Sequence, residues 1–86
     1  MKGGVFMVTD KIKALLMITG KKQVDLANEF GLTAQSMSNK MTLNRYNADD
    51  LIKIAEFTGC KVGFLLPNGE HILLEASDIR EKKKPE

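Results

Sequence analysis

Cysteine is almost missing from this sequence, with one thiol, Cys60, in 86 residues. An internal disulfide and a multi-thiolate metal centre are therefore excluded for the chain alone, and a reducing compartment suits it. Long apolar runs are missing as well. The longest unbroken one, Ala14 to Ile18, has five members, where a bilayer span needs about 18 or more. Lys2 is followed only by the brief stretch Val5 to Val8, with no Ala-x-Ala-like cleavage site, so export is not indicated. No membrane association is expected, and the expected location is cytoplasmic. Histidine is represented by His71 alone. With no metal cluster, no glycine phosphate loop and no paired acid and base, neither a metal, a cofactor nor an enzymatic activity is expected.

What is present is ordinary in amount and uneven in placement. The composition is 43% hydrophobic and 28% charged, close to the globular average and far from that of disordered chains. A chain of 86 residues has room for one domain, and at this size little apolar surplus is left to line a deep substrate cavity unless a second subunit adds to it. The net charge of +2 is mild. Its distribution says more: residues 1 to 47 carry seven Lys or Arg against three Asp or Glu, and residues 48 to 86 carry six against eight. Between Glu29 and Asp49 there is no acidic residue, while Lys40 and Arg45 are present. A phosphate-rich partner meets no like charge there.

Periodicity predicts four helices. Ile12, Leu15, Leu16 and Thr19 share one face of the first, with Thr9 or Asp10 as its N-cap and Gly20 as its stop. Leu26, Ala27 and Phe30 mark the second, over residues 23 to 30, and Gly31 follows where a left-handed residue is wanted. Thr33 is suited to cap a third helix from Ala34 to about Met41, in which Met37 and Met41 recur one turn apart. Asn47 and Asp50 have capping-box spacing, and Leu51, Ile54, Ala55 and Thr58 form the stripe of a fourth helix that stops at Gly59.

The pattern then changes. Lys61 to Leu66 and Glu70 to Glu75 are short apolar arms joined through Pro67, Asn68 and Gly69, which reads as a β-hairpin. Both arms are apolar on both alternating faces, so the second face needs a cover. Met1 to Val8 reads either as a short extra strand through Val5, Phe6, Met7 and Val8 or as a leader without fixed structure. The charged run Arg80 to Glu86 reads as a mobile, solubilising tail. The expected organisation is thus a single domain over 1–86: a helical core over 9–59, a hairpin over 60–76 as a candidate dimer element, and a flexible tail over 77–86.

The segment that points to a function runs from Gln23 to Lys40, two short helices joined by a tight turn. Ala27 is small where the helices cross, Gly31 lets the chain reverse without a Cβ clash, and Leu32 and Met37 close the wedge. The third helix keeps Ala34, Gln35, Ser36, Ser38, Asn39 and Lys40 largely outside the core. Gln23, Ala27, Gly31 and Met37 reproduce the Gln, Ala, Gly and aliphatic pattern of the phage-repressor helix-turn-helix family at the same spacing. Over about residues 9 to 59 the chain resembles this Cro and Xre type of small transcription regulator. Lys22 stands where many members place a Thr or Ser cap, Lys40 stands where the position is usually apolar, and a hairpin replaces the family's fifth helix.

The resemblance implies a mainly α fold, a four-helix lambda-repressor-like domain carrying a C-terminal β-hairpin, that binds double-stranded DNA as a homodimer. It sets Gln35 and Asn39 on the base-reading face, with Ala34 beside them able to touch a thymine methyl. Gln and Asn amides offer one donor and one acceptor to adenine N6 and N7. Gln23, Ser36, Ser38, Lys40, Asn44 and Arg45 would then hold phosphates. The expected function is a sequence-specific regulator, a repressor on a short palindromic site, with two third helices about 34 Å apart for successive major grooves. Two other readings use the same residues: an antitoxin whose hairpin or tail grips a toxin protein, and a protein-interaction module without DNA binding. Tyr46 reads as a packing ring, Cys60 as a small buried residue at a strand start, and His71 as an ordinary exposed side chain. Hairpin pairing sets His71 near Leu65 and Cys60 near Glu75, too far apart for a nucleophile and its base.

Overall fold

Among the described residues each α-helix ends where the backbone turns left-handed, and three of the four turning residues are glycines. The structure is a computed structural model that describes residues 7–79. It contains four α-helices and a two-stranded antiparallel sheet, the mainly α fold with a small C-terminal hairpin that the residue patterns predict. The chain forms two compact units, divided between Arg45 and Tyr46.

The first unit holds α1 (Val8–Thr19), α2 (Gln23–Glu29) and α3 (Ala34–Thr42). Gly20 at φ +72° ends α1, Gly31 at φ +70° follows α2, and Asn44 at φ +55° follows α3. At each, the next amide closes back on the helix: Lys21 on the Leu16 carbonyl (2.9 Å), Leu32 on Ala27 (2.9 Å) and Arg45 on Lys40 (3.2 Å). Such closures satisfy carbonyls that a helix end otherwise leaves open. Ile12 and Leu16 of α1, Leu26 and Ala27 of α2, and Met37 and Met41 of α3 are buried.

The start of α1 differs from expectation. Met7 occupies the N-cap position, its amide donating to the Asp10 carboxylate at 3.0 Å. Thr9 lies inside the first turn and is buried; its hydroxyl donates to the Met41 carbonyl at 2.6 Å. That oxygen is engaged at the end of α3, so the cap falls to the residue that Asp10 can reach. Met7 and Val8, weighed as strand residues, thus belong to the cap and first turn. Val5 and Phe6 lie outside the described residues, as does the tail from Arg80 to Glu86.

In the second unit Asn47 and Asp50 exchange bonds as predicted. The Asp50 amide donates to Asn47 Oδ1 at 2.8 Å and the Asn47 amide to the Asp50 carboxylate at 3.0 Å. They open α4 (Ala48–Thr58), which ends at Gly59. Its buried face includes Ile52 beside Ile54, Ala55 and Thr58, while Leu51 is only half-buried. Two adjacent aliphatic residues left the periodicity free to choose either, and packing chose Ile52.

Strands β1 (Val62–Leu65) and β2 (His71–Leu74) pair with Val62 opposite Leu74, Phe64 opposite Ile72 and Leu65 opposite His71. Gly69, at φ +93°, donates its amide to the Leu66 carbonyl at 3.0 Å. This is the turn with Pro67 at its first corner, in the three-residue form that favours a left-handed last residue. The Asn68 side chain accepts from the Glu70 amide at 3.0 Å. A 3-10 helix, Ala76–Asp78, follows, held by the Glu75 amide on the Asp78 carboxylate at 2.7 Å. It packs on α4, so the start of the segment expected as a flexible tail from residue 77 is built into this unit. Because β1 and the 3-10 helix both lie against α4, that helix groups with the hairpin in the second unit.

Candidate functional site

Four residues, Phe30 to Thr33, connect α2 to α3. Gly31 reverses the chain, and Thr33 then caps α3, its hydroxyl oxygen accepting from the Ser36 amide at 3.0 Å. Ala27 is 1% exposed and Met37 is fully buried. The small side chain lets the helices approach, and the larger one fills the angle between them. Met41, one turn later, is buried as well. With this edge turned inward, α3 leaves Ala34, Gln35, Ser36, Ser38, Asn39 and Thr42 exposed, a surface without an acidic group.

On that surface the Gln35 Nε2 donates to Asn39 Oδ1 at 3.1 Å. One helical turn separates the two residues, so the amides stand one above the other. Joined in this way they retain, between them, the Gln35 carbonyl oxygen as acceptor and the Asn39 amide as donor. A donor and an acceptor of this amide type are what adenine N6 and N7 accept from a single Gln or Asn in a major groove.

The six residues expected to hold phosphates do not all gather beside this pair. Gln23, first residue of α2, is half-buried and borders with Ser38 a depression of about 280 Å³ within the first unit. Lys13 and Thr42 border it too. Sequence spacing did not single them out, because their proximity depends on how α1 meets α3. Asp10 is also on this rim, its carboxylate occupied by the Met7 amide. Ser36 and Arg45 are exposed.

Lys40 and Asn44 also make contacts within the chain. Lys40 is half-buried with its Nζ 5.9 Å from the centroid of the Phe30 ring, a cation over an aromatic face. A long stem that covers apolar surface while its charge stays at the rim explains how lysine fits a half-buried position. Asn44 Oδ1 accepts from the Thr9 amide at 3.0 Å and from the Thr9 hydroxyl at 3.2 Å. Its carbonyl group thus ties the end of α3 to the start of α1. Lys22, at the N-cap of α2, makes no side-chain capping bond.

In the second unit, Cys60 is half-buried with its thiol 3.7 Å from the Thr58 carbonyl. His71 is exposed at the far end of the hairpin, opposite Leu65, so the two do not meet. Among the described residues no group of three or more His, Cys, Asp or Glu is arranged to hold a metal ion. Among the same residues no helix is long and apolar enough to cross a membrane. No protein-family model, curated protein or solved structure matches the chain.

Proposed function

We propose that this chain is a sequence-specific DNA-binding transcriptional regulator, a repressor of the phage-repressor helix-turn-helix type acting as a homodimer on a short palindromic site. In this reading α2 and α3 are the two helices of the motif and α3 enters the major groove. The observation that carries it is the exposed, acid-free face of α3 with its Gln35–Asn39 amide pair at 3.1 Å, backed by the buried Met37 and Met41. Short polar side chains on a rigidly seated helix are what a groove about 12 Å wide admits, and Gln and Asn amides read adenine. Ala34, at the start of α3, is small enough for a thymine methyl to approach.

Gln23, Ser36, Ser38, Lys40, Asn44 and Arg45 serve as phosphate contacts, which fix the register of the helix without reading sequence. The hairpin supplies the surface on which two copies join, giving two readers per dimer as a palindrome demands. Regulation follows from occupancy of the site, with no bond made or broken. Selection of bound sequences from a random DNA pool tests the reading. An enriched, two-fold symmetric site containing adenine-thymine pairs is expected, with retention that weakens as salt rises. No retention of any oligonucleotide at low salt overturns it.

A further inference from the structure

A two-stranded hairpin has two open edges, and in this chain they are unlike. The Leu66 amide donates to the Glu70 carbonyl at 2.7 Å next to the turn. Alternation from that bond makes Phe64 and Ile72 a hydrogen-bonded pair, and Val62 and Leu74 another. The backbone groups of Gly63 and Leu65 therefore face outward from β1, and those of His71 and Leu73 face outward from β2. Edge strands are normally blunted by charge or cover. The β2 edge is: Glu70 and Glu75 bracket it, and Leu73 is half-buried. The β1 edge is not, since Gly63, Phe64 and Leu65 are exposed in succession within an uncharged run from Val62 to Asn68. Phe64 is 66% exposed and Leu65 77%.

We propose that the open edge of β1 is the docking site for a second copy of this chain, the two β1 strands pairing antiparallel about a two-fold axis through Phe64. The inference rests on the homodimeric reading above and assigns its interface. In this register Gly63 exchanges backbone bonds with the partner subunit's Leu65. Phe64 faces the partner subunit's Phe64 in a non-hydrogen-bonded pair, with Cα atoms about 4.5 Å apart, close enough for the rings to pack. Leu65 falls opposite a glycine, where no side chain opposes it, and Lys61 falls opposite a proline, so like charges do not meet. Pairing through β2 would crowd Glu70 and Glu75 of both copies along one ribbon, an arrangement that like-charge repulsion disfavours. The β1 pairing yields a four-stranded sheet, beyond the two strands that are marginal alone.

The register has a covalent test on the full chain carrying Cys60→Ser. Phe64→Cys places thiols within disulfide reach across the two-fold axis, whereas Ile72→Cys leaves them three strand spacings, about 14 Å, apart. Under mild oxidation Phe64→Cys is expected to form a disulfide-linked dimer at least tenfold faster than Ile72→Cys. Equal rates, a faster reaction at Ile72→Cys, or no reaction at either overturns the assignment. Leu65→Lys, with its native thiol, is expected to raise the dimer dissociation constant at least tenfold in sedimentation, and His71→Lys to leave it within twofold. The reverse order also overturns the assignment. Sedimentation of the unaltered chain separates the two failures: a dimer that does not cross-link through Phe64→Cys sinks the β1 edge alone, and a monomer at tens of micromolar sinks the homodimer as well. Oligonucleotide retention, measured apart, bears on the reader and not on this edge.

Discussion

Asn44 sits in the left-handed region at φ +55°, where asparagine is tolerated better than most residues with a Cβ. Its Oδ1 accepts from the amide and the hydroxyl of Thr9, which lies buried in the first turn of α1. Asn44→Ala removes that acceptor and leaves the backbone in the same unfavourable region. A loss of about 1–3 kcal/mol in stability is expected, read by urea unfolding. Gln35 and Asn39 are the opposite case, for both are exposed and their mutual bond supports nothing beneath it. Gln35→Ala and Asn39→Ala are each expected to cost about 1–3 kcal/mol at the preferred DNA sequence, with unfolding almost unchanged. Equal losses on all sequences would make them phosphate contacts. The exposed amides were legible in the sequence because helical spacing alone puts them on one side. The tasks of Asn44 and Lys40 were not legible, because Thr9 lies 35 residues from Asn44 and the Phe30 ring lies just past the end of α2, outside the helix that carries Lys40. Periodicity within one element carries no information about either partner.

At the scale of elements the hairpin depends on Gly63 for a reason unrelated to backbone freedom. A Cβ built at this position would stand 2.8 Å from the Leu73 Cα and nearer still to the Ile72 carbonyl oxygen. Those neighbours are backbone atoms of the paired strand and can yield only by opening the ladder. Gly63→Val is therefore expected to abolish the cross-strand proximity of Phe64 and Ile72 in nuclear Overhauser spectra while helical circular dichroism is retained. An intact β1–β2 ladder in that variant would refute the close approach. The elements themselves were largely readable: Gly20, Gly31 and Gly59 as stops, Thr33 and Asn47 as caps, and the Pro67-Asn68-Gly69 turn are all local signals whose chemistry is complete within a few residues. The 3-10 helix over Ala76–Asp78 was not readable, since three residues give no periodicity and its packing on α4 is a tertiary choice. The α4 stripe missed Ile52 for the same cause, two adjacent aliphatic residues being equivalent until something packs on one of them.

For the molecule as a whole, charge bears on function through its placement more than its sum. The net value is +2, yet no acidic residue occurs between Glu29 and Asp49, the stretch that contains all of α3 and Arg45. A polyanion approaching there displaces counterions without meeting a carboxylate from that segment, and each phosphate neutralised adds about one unit to the salt dependence of binding. Arg45 is the decisive residue for this argument. It is exposed and comes three residues after the end of α3, past the amides that would read bases, and its guanidinium suits phosphate oxygens. Arg45→Ala is expected to weaken binding to every DNA sequence by a similar factor, keep the order of preference among sequences, and flatten the slope of log affinity against log salt by about one unit. Titration of one preferred and one unrelated duplex across a range of salt concentrations measures all three. A loss confined to the preferred duplex would make Arg45 a base reader, and an unaltered slope would leave the phosphate contact to Gln23, Ser36, Ser38, Lys40 and Asn44.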